Sequence, residues 1–243
     1  MNQTVLITGA SRGIGADIAR MFAENGFHLV LTCKNSIKEL ETLSKELATQ
    51  YHIKCHALYC DVSKYEEVEK LFESVKNQTE GIDILINNAG ISHIGLLQDM
   101  TADEWNQLIN TNLSSMFYCC KLAIPYMLQK KAGKIINISS IWGNAGASCE
   151  VAYSASKGGV NSFTKALAKE LAPSNIQVNA ISCGVIDTSM NQFLSSEERA
   201  ALEDEIPAGR FGTPRDVAAL AFSIINTTNY LTGQIITLDG GFL

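Results

Sequence analysis

A chain of 243 residues, 46% of them hydrophobic, is long enough to bury a sizeable core within one α/β domain. Its formal net charge of −6, with no long Lys/Arg block, argues against a nucleic-acid surface. No run approaches the roughly 20 apolar residues of a membrane helix, and the first apolar run, Val5–Ile7, reads as a strand and not as a signal peptide, so a soluble, cytoplasmic protein is expected.

Thr4–Thr8 (TVLIT) is the first predicted strand and ends at Gly9. The turn after it carries Ser11, Arg12, Gly13, Ile14 and Gly15, and a helical pattern continues to Asn25. A strand, a glycine-rich turn and a helix form a phosphate cradle: the glycines let the backbone approach, and the helix N–H groups point at the anion. The spacing is Gly9-x-x-x-Gly13-x-Gly15, which departs from the GxGxxG dinucleotide fingerprint. His28–Cys33 is the second strand. An NAD site usually places an Asp or Glu at that strand's end to hold the ribose 2′-hydroxyl, whereas here Cys33 is followed by Lys34 and Asn35. Arg12 and Lys34 could together flank a 2′-phosphate, so NADP(H) is expected in preference to NAD(H).

Ser36–Tyr51 reads as a helix with a capping box at Ser36 and Glu39. Cys55–Tyr59 is the third strand and leads into Asp61 and Val62; Asp61 could accept from an adenine amino group, because Ser63 with Glu66 is expected to cap the next helix. Ile82–Asn87 is the fourth strand and breaks at Asn88, Ala89 and Gly90, small and amide residues that suit a ligand lying across the sheet edge. Thr101 and Glu104 cap a long helix to about Lys130, with Asn110 and Asn112 marking a kink or a backbone opening able to hold water. Lys134–Ser139 is the fifth strand, Ile176–Ser182 the sixth, and Gly184, Ile186, Asp187 and Thr188 follow its end. Met190–Pro207, polar and capped at Ser195 and Glu198, reads as a mobile lid. Thr213–Pro214 opens a last helix and Gln234–Leu238 is the seventh strand. With no repeat and no linker, residues 1–243 are expected to form a single domain.

Between the fifth and sixth strands lies the stretch that carries chemistry. Val151–Leu171 has a helical rhythm that places Tyr153 and Lys157 on one face, one turn apart. A phenol, with an ordinary pKa of roughly 10, is a poor acid or base near neutrality, and a neighbouring ammonium favours its ionised form. Ser140, at the end of the fifth strand, could donate a hydrogen bond to a substrate oxygen. The Tyr-x-x-x-Lys pair alone occurs in many helices as a solvated pair; the other motifs give it weight. The seven cysteines are odd in number and lack CxxC spacing, and the four histidines lack metal-ligand spacing, so neither a disulfide framework nor a metal site is expected.

Thr8–Gly15 (TGASRGIG), Asn87–Gly90 (NNAG), Asn112, Ser140, Tyr153-x-x-x-Lys157 and Gly184–Thr188, in this order, resemble the short-chain dehydrogenase/reductase family. The resemblance implies a Rossmann-like, doubly wound, seven-stranded parallel sheet with helices on both faces, and hydride transfer between NAD(P)H and a carbonyl carbon. It implies that Tyr153 protonates the substrate oxygen, Ser140 polarises it, Lys157 holds the nicotinamide ribose and lowers the tyrosine pKa, and Asn112 anchors a water. Gly9, Ser11, Arg12 and Ile14 would border the phosphates, Asp61 and Val62 the adenine, Asn88, Ala89 and Gly90 the middle of the cofactor, and Ile186 and Thr188 the nicotinamide. A homotetramer pairing helices 101–130 and 151–171 is also implied.

Within the family, TGASRGIG, TNLSSMF, NAGA and LDGGF look most like 3-oxoacyl-[acyl-carrier-protein] reductases of fatty acid biosynthesis. Two departures stand against that: Cys183 where the family usually has proline, and Ser174 where a carrier-binding cation is common, although Lys130, Lys131 and Lys134 could contribute to such a patch. SIWGNAGASCEVAYSASKGG resembles a smaller group that reduces a 5-aminopentanone modification on translation elongation factor P. An amino-ketone would favour acids near the pocket, and Glu150, Glu203, Asp204 and Glu205 are the candidates. A non-catalytic dinucleotide-sensing scaffold is the alternative from another class; it would be expected to lack the tyrosine or the lysine.

Overall fold

A computed structural model describes residues 3–192 and 194–243; Met1, Asn2 and Phe193, the last within the expected lid, lie outside the described residues. Seven strands, β1 (Thr4–Thr8), β2 (His28–Cys33), β3 (Cys55–Tyr59), β4 (Ile84–Asn87), β5 (Gly133–Ser140), β6 (Ile176–Cys183) and β7 (Ile235–Leu238), form one sheet in the order 3-2-1-4-5-6-7. Every neighbouring pair is parallel. The fold is therefore the doubly wound α/β architecture expected from the sequence. The order reverses between β1 and β4, and in such sheets ligands bind in the crevice outside the strand carboxyl ends at that reversal.

Side-chain alternation along the strands builds two separate cores. Val5 and Ile7 of β1, Leu29 and Leu31 of β2 and Ile84 and Ile86 of β4 join one cluster, with α1 (Gly13–Glu24), α2 (Ile37–Tyr51) and α9 (Pro214–Asn226) over them. Leu6, Val30 and Leu85, one residue out of phase, join the other, under α3 (Tyr65–Gln78), α5 (Ser115–Lys130) and α7 (Val151–Leu171), the last preceded by the single turn α6 (Trp142–Ala145). Being apolar on both faces, the central strands read as continuous hydrophobic runs, as parallel sheets buried on both sides do.

Several expected boundaries move. The helix beginning at residue 102 is three pieces: α4 (Ala102–Ile109), a π-helical turn (Asn110–Ser114) and α5. Both asparagines lie in the π turn, so the sequence interruption marks a real widening of the backbone. The capping boxes at Thr101/Glu104, Ser195/Glu198 and Thr213/Asp216 form, the second of them on α8 (Ser196–Glu205). Two others do not. Ser36 makes no side-chain cap for α2, and α3 starts at Tyr65, with Lys64 and not Ser63 before it. Ser63 instead donates both its N–H and its hydroxyl to Asp61 Oδ1, at 3.2 and 2.7 Å. No helix among the described residues is long and apolar enough to cross a membrane.

Candidate active site

The carboxyl ends of the strands open into a cavity of about 610 Å³. At one end lies the glycine turn. Gly9 has a left-handed backbone (φ +65), and a side chain there would bring its Cβ to 2.8 Å from the Ala89 Cα. A Cβ on Gly15 would lie 2.4 Å from the Gly9 carbonyl oxygen. The turn is pinned from the next strand end: Asn88 Nδ2 donates to the Thr8 and Gly9 carbonyls at 2.9 and 3.0 Å, and the Thr8 hydroxyl accepts from the N–H groups of Asn88 and Ala89. α1 begins at Gly13, directing its unpaired N–H groups to the cavity. This tight backbone cradle at the head of a helix fits a dinucleotide pyrophosphate.

Of the residues expected to bind cofactor or act in catalysis, all but Gly15 and Asn112 line this cavity. Gly15 sits behind the turn. Asn112, fully buried in the π turn, clasps the segment after β4: its Oδ1 accepts from Ile91 N at 2.8 Å and its Nδ2 donates to Ile91 O at 2.9 Å and to Ser156 Oγ at 3.1 Å. Both amide protons are thus engaged, leaving a single lone pair of Oδ1 for any water. Gly90 separates Asn112 from Lys157: a Cβ there would stand 3.4 Å from Asn112 Oδ1 and 3.7 Å from Lys157 Nζ.

Ser140, Tyr153 and Lys157 converge as the spacing predicts. β5 carries Ser140 to the cavity rim, and α7 packs against that strand. Lys157 is buried, its Nζ donates to the Ile138 carbonyl at 2.8 Å, and it lies 5.6 Å from the centroid of the Tyr153 ring. Burial lowers the Lys157 pKa to about 8, against a smaller upward pull from Cys183. Burial likewise pushes the Tyr153 phenol up; the Ser140 hydroxyl beside it counteracts this, while Cys183 and Glu150 add to the rise. The Cys183 thiol is pushed up to about 12 by burial despite the nearby ammonium. At neutral pH the unliganded site therefore holds a protonated phenol, a mostly protonated lysine and a neutral thiol. Such a site can give a proton to a developing alkoxide.

A buried polar lattice that sequence reasoning did not single out holds α7 in place. Asn137 Nδ2 donates to Thr164 Oγ1 at 2.9 Å, and Asn87 Nδ2 to Asn137 Oδ1 at 2.9 Å, tying β4 and β5 to the helix. Ser139 Oγ donates to Asn161 Oδ1 at 2.6 Å, Asn161 Nδ2 to Asn144 Oδ1 at 2.8 Å, and Asn144 Nδ2 to Ser182 Oγ at 3.2 Å. Satisfied buried networks of this kind impose one geometry, since shifting the helix would orphan several groups at once. The only signal in the sequence was polar residues at strand positions with apolar neighbours.

A family model described as short chain dehydrogenase matches residues 3–199. The chain belongs to the short-chain dehydrogenase/reductase family. YmfI of Bacillus subtilis, an uncharacterized oxidoreductase, is 38% identical over 243 residues, covering 100% of this chain and 99% of its own. The 3-oxoacyl-[acyl-carrier-protein] reductase FabG of Aquifex aeolicus is 38% identical over 237 residues, 97% of this chain and 95% of its own. FabG of Staphylococcus epidermidis is 38% identical over 242 residues, 99% of each. As a member of this family the chain is an NAD(P)(H)-dependent oxidoreductase.

Where the carboxyl ends of β2 and β3 border the short-chain dehydrogenase cavity, the two cations expected to flank a 2′-phosphate both line it but differ in their partners. Lys34 Nζ lies 2.8 Å from Asp61 Oδ2, whereas Arg12 makes no ion pair among the described residues. The Asp61 carboxylate is pulled below the usual carboxylate range by Lys34 and Ser63, outweighing the effect of its burial. Of the four candidate acids, only Glu150 lines the cavity. Burial raises its pKa, and it has no cationic partner among the described residues. Glu203 is paired with Arg199 at 3.1 Å, and Asp204 and Glu205 are exposed. Arg199 also grips Asp187 through both guanidinium NH groups at 3.0 and 2.9 Å, fastening α8 to the segment after β6. The cations Lys130, Lys131 and Lys134 sit at the opposite end of the sheet. Lys134 is the second residue of β5 and Ser140 its last, about 20 Å away along an extended strand, and Lys130 is held by Asp83 at 2.6 Å. Within one chain they do not border the mouth.

Proposed function

We propose that the chain is an NADPH-dependent carbonyl reductase that converts a ketone to a secondary alcohol, and that the ketone it takes carries an amine. Bound NADPH supplies the hydride. Gly9, Ser11, Arg12 and Ile14 hold its phosphates, Asp61 and Val62 its adenine, and Asn88–Gly90, Gly184, Ile186 and Thr188 its middle and nicotinamide. Ser140 donates to the ketone oxygen and orients it, and Tyr153 delivers its phenolic proton to that oxygen as charge develops there. Lys157, one helical turn away, holds the ribose as an ammonium and eases the loss of the phenolic proton. Asn112 fixes the Ile91 backbone and, with it, the cavity floor beside Lys157.

The observation that carries the substrate reading is Glu150. An unpaired, partly buried carboxylate beside the proton-donating tyrosine makes that residue a poorer acid catalyst by raising the phenol pKa further. Such a cost is offset when the substrate brings a cation, and the 5-aminopentanone group of elongation factor P has the matching chemistry. The second reading, a 3-oxoacyl thioester on an acyl carrier, is supported by the names of the relatives that are 38% identical.

NADPH oxidation by the purified protein, with a small amino-ketone and an acetoacetyl thioester compared under the same conditions, separates the two. The amino-ketone is expected to have the higher kcat/KM. Glu150→Gln should reduce it by about ten- to a hundredfold, the value of a charge-assisted contact of about 1.5–3 kcal/mol, while sparing neutral ketones. Preference for the thioester, unchanged in Glu150→Gln, would establish the carrier reading instead.

A further inference from the structure

The carboxyl ends of β2 and β3 lie side by side at the cavity. β2 and β3 pair in parallel with Cys33 opposite Tyr59, so the residues just beyond them, Lys34 and Asp61, meet over the cavity. The Asp61 carboxylate is fully engaged: Oδ2 holds Lys34 at 2.8 Å while Oδ1 accepts from Ser63 N and Oγ. A second carboxylate adds to the negative charge, since Glu67 Oε2 accepts from the Asp61 N–H at 2.7 Å. Where NAD-binding relatives of this architecture use an acid on the ribose, the buried Cys33 offers none. The two cations thus differ: Arg12 makes no ion pair among the described residues, whereas Lys34 is held by Asp61.

We propose that Asp61 withholds Lys34 from the cofactor's 2′-phosphate, making Asp61 a determinant of selectivity between NADP(H) and NAD(H). This rests on the NADP(H) reading above. A 2′-phosphate entering beside Arg12, Lys34 and Asn35 must share the ammonium with a carboxylate and is repelled by that carboxylate. NAD(H), with only a hydroxyl there, is indifferent to both effects. The adenine, which Asp61 borders, is the same in the two cofactors, so any contact with it cancels in their ratio.

Calorimetric dissociation constants of NADP⁺ and NAD⁺ test the idea without relying on turnover. Asp61→Asn, whose amide oxygen can still accept from Ser63 N, is expected to raise the preference for NADP⁺ over NAD⁺ about two- to fivefold, the range for a half-exposed ion pair. Asp61→Ser, a second way of removing the charge, should move the ratio in the same direction. Adding Lys34→Met to Asp61→Asn should abolish the gain. An unchanged or lowered ratio in both Asp61 variants, or a gain that survives Lys34→Met, overturns the proposal. Arg12→Ala isolates the underlying reading. If it lowers the ratio while the Asp61 variants leave it unmoved, NADP(H) selectivity stands and the withholding role fails. If the wild-type protein binds both cofactors equally and Arg12→Ala changes nothing, both readings fall.

Discussion

Lys157 is a buried ammonium whose pKa is lowered to about 8, and this makes its charge measurable from two sides. The first is cofactor binding. If the ammonium form binds, apparent NADPH affinity should follow the charged fraction of the free protein. That fraction is about 90% at pH 7 and about 10% at pH 9, so the dissociation constant should rise about tenfold across the interval. The Cys183 thiol, at about 12, does not titrate there. The second is stability. Between about 8 and the unfolded value of 10.5, the unfolded chain binds this proton more tightly, so wild-type stability should increase with pH over that window. Below it the fold bears a penalty on the order of 3 kcal/mol. Lys157→Met removes the penalty at the cost of the bond to the Ile138 carbonyl, about 1 kcal/mol. The variant should therefore keep or raise its Tm at pH 7 while losing turnover and the pH dependence of NADPH binding. Fluorescence titration from pH 7 to 9 and thermal unfolding supply the data. Affinity that is flat with pH, or an alkaline weakening that persists in Lys157→Met, would refute the reasoning.

Gly15→Ala forces a methyl group to 2.4 Å from the Gly9 carbonyl oxygen and 2.6 Å from Asn88 Nδ2, directly behind the turn that forms the cradle. A stability loss of about 1–3 kcal/mol is expected, with dinucleotide affinity falling alongside it in calorimetry; an unchanged Tm would mean the turn has room that its geometry denies. Leu113 of the π turn, Phe117 and Tyr118 of α5 and Phe163 of α7 border an apolar recess, and Phe117 is 49% exposed. Sedimentation velocity should show a homotetramer for the wild-type chain and smaller species for Phe117→Glu. A wild-type monomer would rule out pairing through these helices.

Strand and turn positions were legible because their signals are local. β1, β2 and β3 fall where short apolar runs and flanking turn residues put them, and the Tyr153/Lys157 pair follows from one helical turn. The π turn was legible as two asparagines but not as a π turn, since nothing in NTNLS sets the wider hydrogen-bond ring against an ordinary kink. The Ser63/Glu66 cap failed because Asp61 competes: its carboxylate captures the Ser63 hydroxyl two residues away, so the helix starts later. Ser36 likewise faces the cavity instead of closing its helix.

The order of the strands, helices and motifs can be read from the chain alone, because periodicity and short spacings are properties of neighbouring residues, and the family resemblance those motifs carry implied the fold class and the Ser140, Tyr153 and Lys157 constellation. Which distant side chains meet is another matter. Lys34 finds Asp61 because β2 and β3 lie side by side in register, and Glu150 alone among the four candidate acids reaches the cavity, at the head of α7, while Glu203 turns to Arg199. Those contacts depend on where crossovers deliver strand ends, and they set the charge at two separate parts of the cavity. Tertiary packing, which sets burial and hence the energies of Lys157, Tyr153 and Glu150, decided them.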